Sequence, residues 1–234
     1  MGDTIGVSEP SLTAAAVRRL TAPRAAALAG VLFAVLFGTA LYLIRSSLPE
    51  GVQPGSLWIE SGHDRIQLAS ELMPFAGISF LWFIGVVRAN LGDCEDKFFG
   101  TVTLGSGLLF LAMIFASSAV GAGLAESRHY TGGDSGGVDV FGQMLLLKLS
   151  KTYALRMAAV FMISLATVWK GTGLMPRWLV YATYFAAVVL IIGGDTSMWL
   201  ALAFPVWVLV VSALFLVRAG VFEHRGGGHR RHEV

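Results

Sequence analysis

AAALAGVLFAVLFGTALYLI, residues Ala25 to Ile44, runs without a single charge. At 1.5 Å per residue such a helix is about 30 Å long, the thickness of the hydrocarbon core of a bilayer. A helix that is apolar on every side has no face to turn toward water, so the stretch reads as a membrane span. A secretory signal peptide is the competing reading, but its apolar region is usually about 7 to 15 residues and ends at a small-residue cleavage site. The length favours an uncleaved anchor.

Five further apolar stretches follow: about Gln67 to Val87, Phe98 to Leu124, Thr152 to Trp169, Trp178 to Gly193, and Ser197 to Val217. The 234 residues are 55% hydrophobic and 14% charged, against about 25% charged in soluble globular chains. Six spans take up about 120 residues, which leaves too little chain for a sizeable extramembrane domain. The expected fold is all-α, a polytopic transmembrane bundle of about six spans. Residues 1–24 are expected to form a cytoplasmic tail, 25–218 the membrane domain, and 219–234 a basic, disordered cytoplasmic tail.

Lysine and arginine counts set the orientation, because cytoplasmic connections carry the excess. With the N-terminus inside, the inner segments hold Arg18, Arg19, Arg24, Arg88, Lys97, Lys170, Arg177, Arg218, Arg225, Arg230 and Arg231. The outer segments hold Arg45, Arg65, Arg128, Lys148, Lys151 and Arg156. Eleven of the seventeen therefore lie inside, with both termini cytoplasmic. Tyr42, Trp58, Trp169, Trp178 and Trp199 suit headgroup-level anchors in this layout. The two long connections, about Arg45 to Ile66 and Ala125 to Lys151, are then external. Within the second, Thr131 to Gly137 (TGGDSGG) reads as a turn, with Asp139 capping an interfacial helix or helical extension from Val138 to Ser150. The fifth and sixth spans are joined by Gly193 to Thr196, so they are expected to be antiparallel neighbours in a hairpin.

Charge inside a span is costly, about 2.5 to 3.5 kcal/mol on insertion scales, and so marks candidate sites. Glu71 and Arg156 each stand about one turn inside the outer end of a span and are expected to form an intramembrane ion pair, against the alternative that each snorkels to its interface. Pro205 is expected to kink the sixth span. Ala112, Ala116, Ser117 and Gly121 keep the third span slim and read as a packing face.

Other motifs read as structural. Cys94 is the only cysteine, which excludes an intrachain disulfide and any multi-cysteine metal site. The acidic run Asp93 to Asp96 suits a solvated loop before a helix start, and His224, His229 and His232 belong to the basic tail. Gly105-Ser106-Gly107 lacks the glycine that rhomboid-type proteases have two positions before serine, the Gly-Gly-Asp ending at Asp195 lacks the GxGD form of intramembrane aspartyl proteases, and no span holds a histidine to ligate haem. No phosphate-binding loop is present. No catalytic, cofactor-binding or metal site is therefore expected.

The segments PFAGISFLWFIGVVR, Pro74 to Arg88, and EDKFFGTVTLGSGLLFLAMIFAS, Glu95 to Ser117, resemble a group of uncharacterised multi-pass membrane proteins of actinobacteria. The resemblance covers the second and third spans. It implies a bacterial inner membrane and brings no activity, substrate or cofactor. The bilayer is the expected partner, with other membrane proteins or further copies of this chain; scattered basic residues exclude nucleic acid. The expected role is an accessory or scaffold subunit of a membrane assembly. The alternatives are a small-solute or ion transporter with Glu71 and Arg156 near the outer end of its path, and an enzyme using His63, Asp64, His129 and Asp134 of the outer connections.

Overall fold

The computed structural model describes residues 12–47, 58–91, 97–131, 136–193 and 198–226, and all of these except the turn between α5 and α6 are helical. Helices α1 (Leu12–Ser47), α2 (Trp58–Leu91) and α3 (Lys97–Thr131) come first. A long rod follows, made of α4 (Gly136–Leu147), a π-helical segment (Lys148–Ala154) and α5 (Leu155–Thr172). Then come α6 (Arg177–Gly193), a 3-10 segment (Met198–Leu202) and α7 (Ala203–Gly226).

Five of these rods are long and apolar enough to cross a bilayer: Ala27–Ile44, Asp64–Arg88, Lys97–Leu124, Val140–Thr172 and Leu200–Val217. Helix α6 is apolar but shorter, about 25 Å at 1.5 Å per residue over its 17 residues. Several boundaries differ from the sequence reading. The apolar windows Ala27–Ile44 and Asp64–Arg88 lie close to the expected spans, but the helices run past them: α1 begins at Leu12, α2 at Trp58, and α7 continues to Gly226 into the expected basic tail. Of the two readings of Val138 to Ser150, the helical extension holds: the segment is continuous with the apolar rod Val140–Thr172.

The π segment explains why one rod looks like two in the sequence. Its i→i+5 closure takes about 4.4 residues per turn instead of 3.6, so over the seven residues of Lys148–Ala154 the faces fall behind an α-helix by roughly 126°, a little more than one residue's 100°. Buried Gly142, Gln143 and Leu146 in α4 would be out of phase with buried Ala158, Met162, Leu165 and Trp169 in an unbroken α-helix. The wide turn puts both sets on one face and turns Tyr153 outward. Of the rod's spanning window 67% is buried, against 39–44% for the other four, so this rod lies at the heart of the bundle.

Side-chain contacts give the direction of each rod. Gly30 approaches Phe83 and Ser212, while Phe33 meets Phe80 and Phe204, so α2 and α7 both run antiparallel to α1. Gly121 faces Ser70 and Gly107 faces Ile84, so α3 runs against α2; Gly142 faces Leu124 and Phe161 faces Gly107, so the long rod runs against α3. Phe161 touches Phe204 and Trp169 touches Trp207, making α5 and α7 parallel. Helix α6 returns between them after a tight turn. Gly173, at φ 66, ends α5 in the left-handed conformation with its N–H donating to the Trp169 carbonyl at 2.9 Å, and the Pro176 carbonyl accepts from Leu179 at 3.0 Å to open α6. Six rods therefore alternate up and down.

The expected hairpin of the last two spans is antiparallel but not packed along its length. Helix α6 docks on α5, whereas α7 docks on α1, and α6 and α7 touch only sparsely. A hydrogen bond from Trp207 Nε1 to Thr183 Oγ1, 2.9 Å, is one of their few links. Thr167 Oγ1 and Tyr184 Oη, 2.8 Å apart, join α5 to α6.

The centre is aromatic. Phe80 on α2 meets Phe33 of α1 (ring centroids 4.7 Å apart), Phe110 of α3 (5.3 Å), Phe161 of α5 (5.3 Å) and Phe204 of α7 (5.7 Å). These spacings fall in the favourable range for tilted and edge-to-face rings. Their opposite faces are equally greasy: Leu28, Leu32, Trp82, Phe141, Phe185 and Ile192 all point outward, with Phe185 73% exposed. Large apolar side chains both inside and outside go with helices long and apolar enough to cross a bilayer.

Candidate functional site

The residues singled out by sequence occupy different settings. Glu71 stands well inside α2, more than three turns from Trp58, and is exposed; its carboxylate accepts a hydrogen bond from Gln67 Nε2 of the same helix at a long 3.4 Å. Arg156 is the second residue of α5, directly after the π segment, and is also exposed. Both charges therefore belong to outward surfaces of their rods, and neither faces the aromatic centre. Pro205 is buried and is the third residue of α7, a first-turn position where the missing donor has no partner within α7 in any case. The chain's irregularity lies just before it, in the 3-10 turn Met198–Leu202. Asp64 is exposed. The side chains of His63, His129 and His224 lie outside the described residues, as do Asp134, Asp93 to Asp96, Asp195, His229 and His232. Among the described residues no three His, Cys, Asp or Glu side chains gather as a metal site.

Small residues work where the rods cross, though not in the pattern expected for α3. Ser117 and Gly121 are buried against α2 and α4, while Ala112 and Ala116 face outward. In Gly105-Ser106-Gly107 the buried Ser106 hydroxyl donates to the Val102 carbonyl at 2.6 Å, and a methyl at Gly107 would lie 2.6 Å from Ile84 and 3.3 Å from Phe161. Gly107 is thus a packing position, whereas Gly105 is exposed with open space around it. Gly77 likewise lets Phe115 lie against α2.

One polar feature stands out, of which the sequence marked only Ser117, and that as a packing residue. Ser70, Ser117, Ser118 and Ser150 come from α2, α3 and the π segment and line one small cavity, with Leu41, Ile44, Ile66, Met73, Ile114 and Leu146 completing its wall. The cavity volume is about 20 Å³ for water-sized occupants. Ser117 Oγ donates to the Leu146 carbonyl at 3.1 Å and Ser150 Oγ donates to the same oxygen at 2.7 Å. Ser118 Oγ donates to the Ser70 carbonyl at 3.1 Å. The cluster ties α3 to both α2 and α4 beside the widened turn. Single serines scattered along apolar runs give no warning of it, because only the crossing of three rods brings them together.

No family model, curated protein or solved structure matches this chain.

Proposed function

We propose that this chain is a six-span protein of a bacterial plasma membrane, with both termini cytoplasmic, that acts as an accessory or scaffold subunit of a membrane assembly. The alternation of six rods supports six crossings: α5 and α7 are parallel, so the short α6 between them has to return across the layer. An even number of crossings puts both ends on one side, and the bias of basic residues makes that side the cytoplasm. The resemblance of Pro74 to Arg88 and Glu95 to Ser117 to multi-pass actinobacterial proteins points to the same membrane.

The observation that carries the scaffold reading is the filled centre. Phe33, Phe80, Phe110, Phe161 and Phe204, each at most 1% exposed, close the space between five helices. A solute path needs polar groups and room at mid-depth, and a packed aromatic layer provides neither. Binding capacity lies outside instead. Helix α6 is peripheral, and Trp178, Tyr181, Phe185, Val188 and Ile192 face outward from it at spacings of three and four residues, the pattern by which helices interlock. Glu71 and Arg156, also outward, suit polar contacts with a neighbour, with headgroups, or with each other.

The test is extraction in a mild detergent followed by native mass spectrometry. The expected result is a stoichiometric assembly larger than one chain that dissociates when Tyr181 and Phe185 are replaced by alanine. A purely monomeric particle that conducts a solute in proteoliposomes overturns the reading. Loss of that flux in Glu71→Gln or Arg156→Gln would then favour the transporter.

A further inference from the structure

We propose that the serine-lined cavity beside the π segment is a built site for one internal water molecule, which joins α2, α3 and the long rod through their hydroxyls. Size is the first argument. A cavity of about 20 Å³ exceeds the roughly 10 to 15 Å³ that a water needs and is far too small for an organic ligand.

Hydrogen-bond accounting is the second. Each serine hydroxyl has one proton to donate and two lone pairs to offer. Ser117, Ser118 and Ser150 have spent their protons on backbone carbonyls. Their oxygens therefore remain as acceptors for the two protons of a water, and Ser70 supplies a hydroxyl able to donate to it. An apolar cavity of this size would stay dry, but this one offers the two to four polar partners that an ordered water requires.

Charge decides against a metal cation of similar size. The lining holds only neutral side chains, and burying an unpaired ion costs several kcal/mol even after relaxation. Water meets the same acceptors without that cost. In this site it would complete the polar cluster around the Leu146 carbonyl, where the wide turn begins, and hold the π register against the pressure to tighten into α-helix.

Met73 provides the readout. It lines the cavity yet is only 4% exposed, and its sulfur is readily oxidised by hydroxyl radicals generated from an adjacent water. Met162, fully buried in the core and outside this lining, is the internal control. X-ray radiolysis of the intact protein in detergent, after exchange into ¹⁸O water, is expected to put labelled oxygen on Met73 and leave Met162 unmodified. Ser70→Val fills the cavity and is expected to drop Met73 labelling to the Met162 level; Ser150→Val gives the same reading from the π segment should Ser70→Val fail to fold. Met73 as protected as Met162 in the unaltered protein overturns the proposal. So does labelling that persists unchanged in either folded variant, because radicals would then be reaching Met73 from outside.

Discussion

Gly30 sets how closely α1 can lie against α2 and α7. A methyl at this position would run into Ser212 Oγ and stand 2.8 Å from a ring carbon of Phe83, and both neighbours are fully buried and held by other helices. Gly30→Ala is therefore expected to destabilise by about 1 to 3 kcal/mol, the usual cost of overpacking, seen as a lower unfolding midpoint in detergent. Gly38, about two turns further along α1, has open space where its own methyl would point, with nothing within 4 Å. Gly38→Ala should leave the midpoint unchanged or raise it slightly, since alanine is favoured over glycine by roughly 0.5 to 1 kcal/mol inside a helix. Thr183 poses a different question, because its hydroxyl is the acceptor for the buried indole N–H of Trp207 and one of the few links between α6 and α7. Thr183→Val keeps the shape and orphans that donor. The expected loss is about 0.5 to 2 kcal/mol, the range measured for polar contacts between membrane helices.

At the scale of the element, the π segment is one residue more than an α-helix would need. Deleting Leu149, within Lys148–Ala154, lets the turn close as α-helix and keeps Leu146 and Met162 on the same face. Such a variant is expected to express and fold with near-normal helix content. Deleting Met157, in the regular part of α5, instead rotates everything beyond it by about 100° and swings Phe161, Leu165 and Trp169 out of the core, so it should yield no monodisperse protein on size exclusion. This phase step is where sequence reading lost the rod. Lys148, Lys151 and Arg156 break the hydrophobic run, and the apolar faces on either side of them disagree if 3.6-residue periodicity is assumed throughout, which left an interfacial helix and a helical extension as equal readings of Val138 to Ser150 and shortened the fourth span to Thr152 to Trp169. Five helices long and apolar enough to cross a bilayer were legible because length without charge is a one-dimensional property. The serine cavity was not, because Ser117 read only as a small packing residue and Ser70, Ser118 and Ser150 carry no signal until three helices cross.

Over the whole molecule, neighbour relations were the part hidden from sequence. Core-facing Phe80 and lipid-facing Trp82 sit two residues apart and are equally apolar, so no polarity contrast says which side of α2 meets protein. With no such contrast to consult, the short connection Gly193 to Thr196 was the only guide to the neighbours of α6 and α7, and it paired them, although α7 lies against α1 and α6 against α5. Direction survives the ambiguity, since alternation of the rods follows from contacts such as Phe33 with Phe80 and Phe204. Sidedness then depends on a single further step, the preference of lysine and arginine for the cytoplasm. The chain carries its own probe for that step. Cys94 is its only cysteine and falls in the connection between α2 and α3, which the charge bias assigns to the inside. A membrane-impermeant maleimide added to intact cells is expected to leave Cys94 unmodified, and the same reagent should label it once the membrane is permeabilised. Labelling in intact cells would invert every connection at once, moving Lys148, Lys151 and Arg156 to the cytoplasmic face.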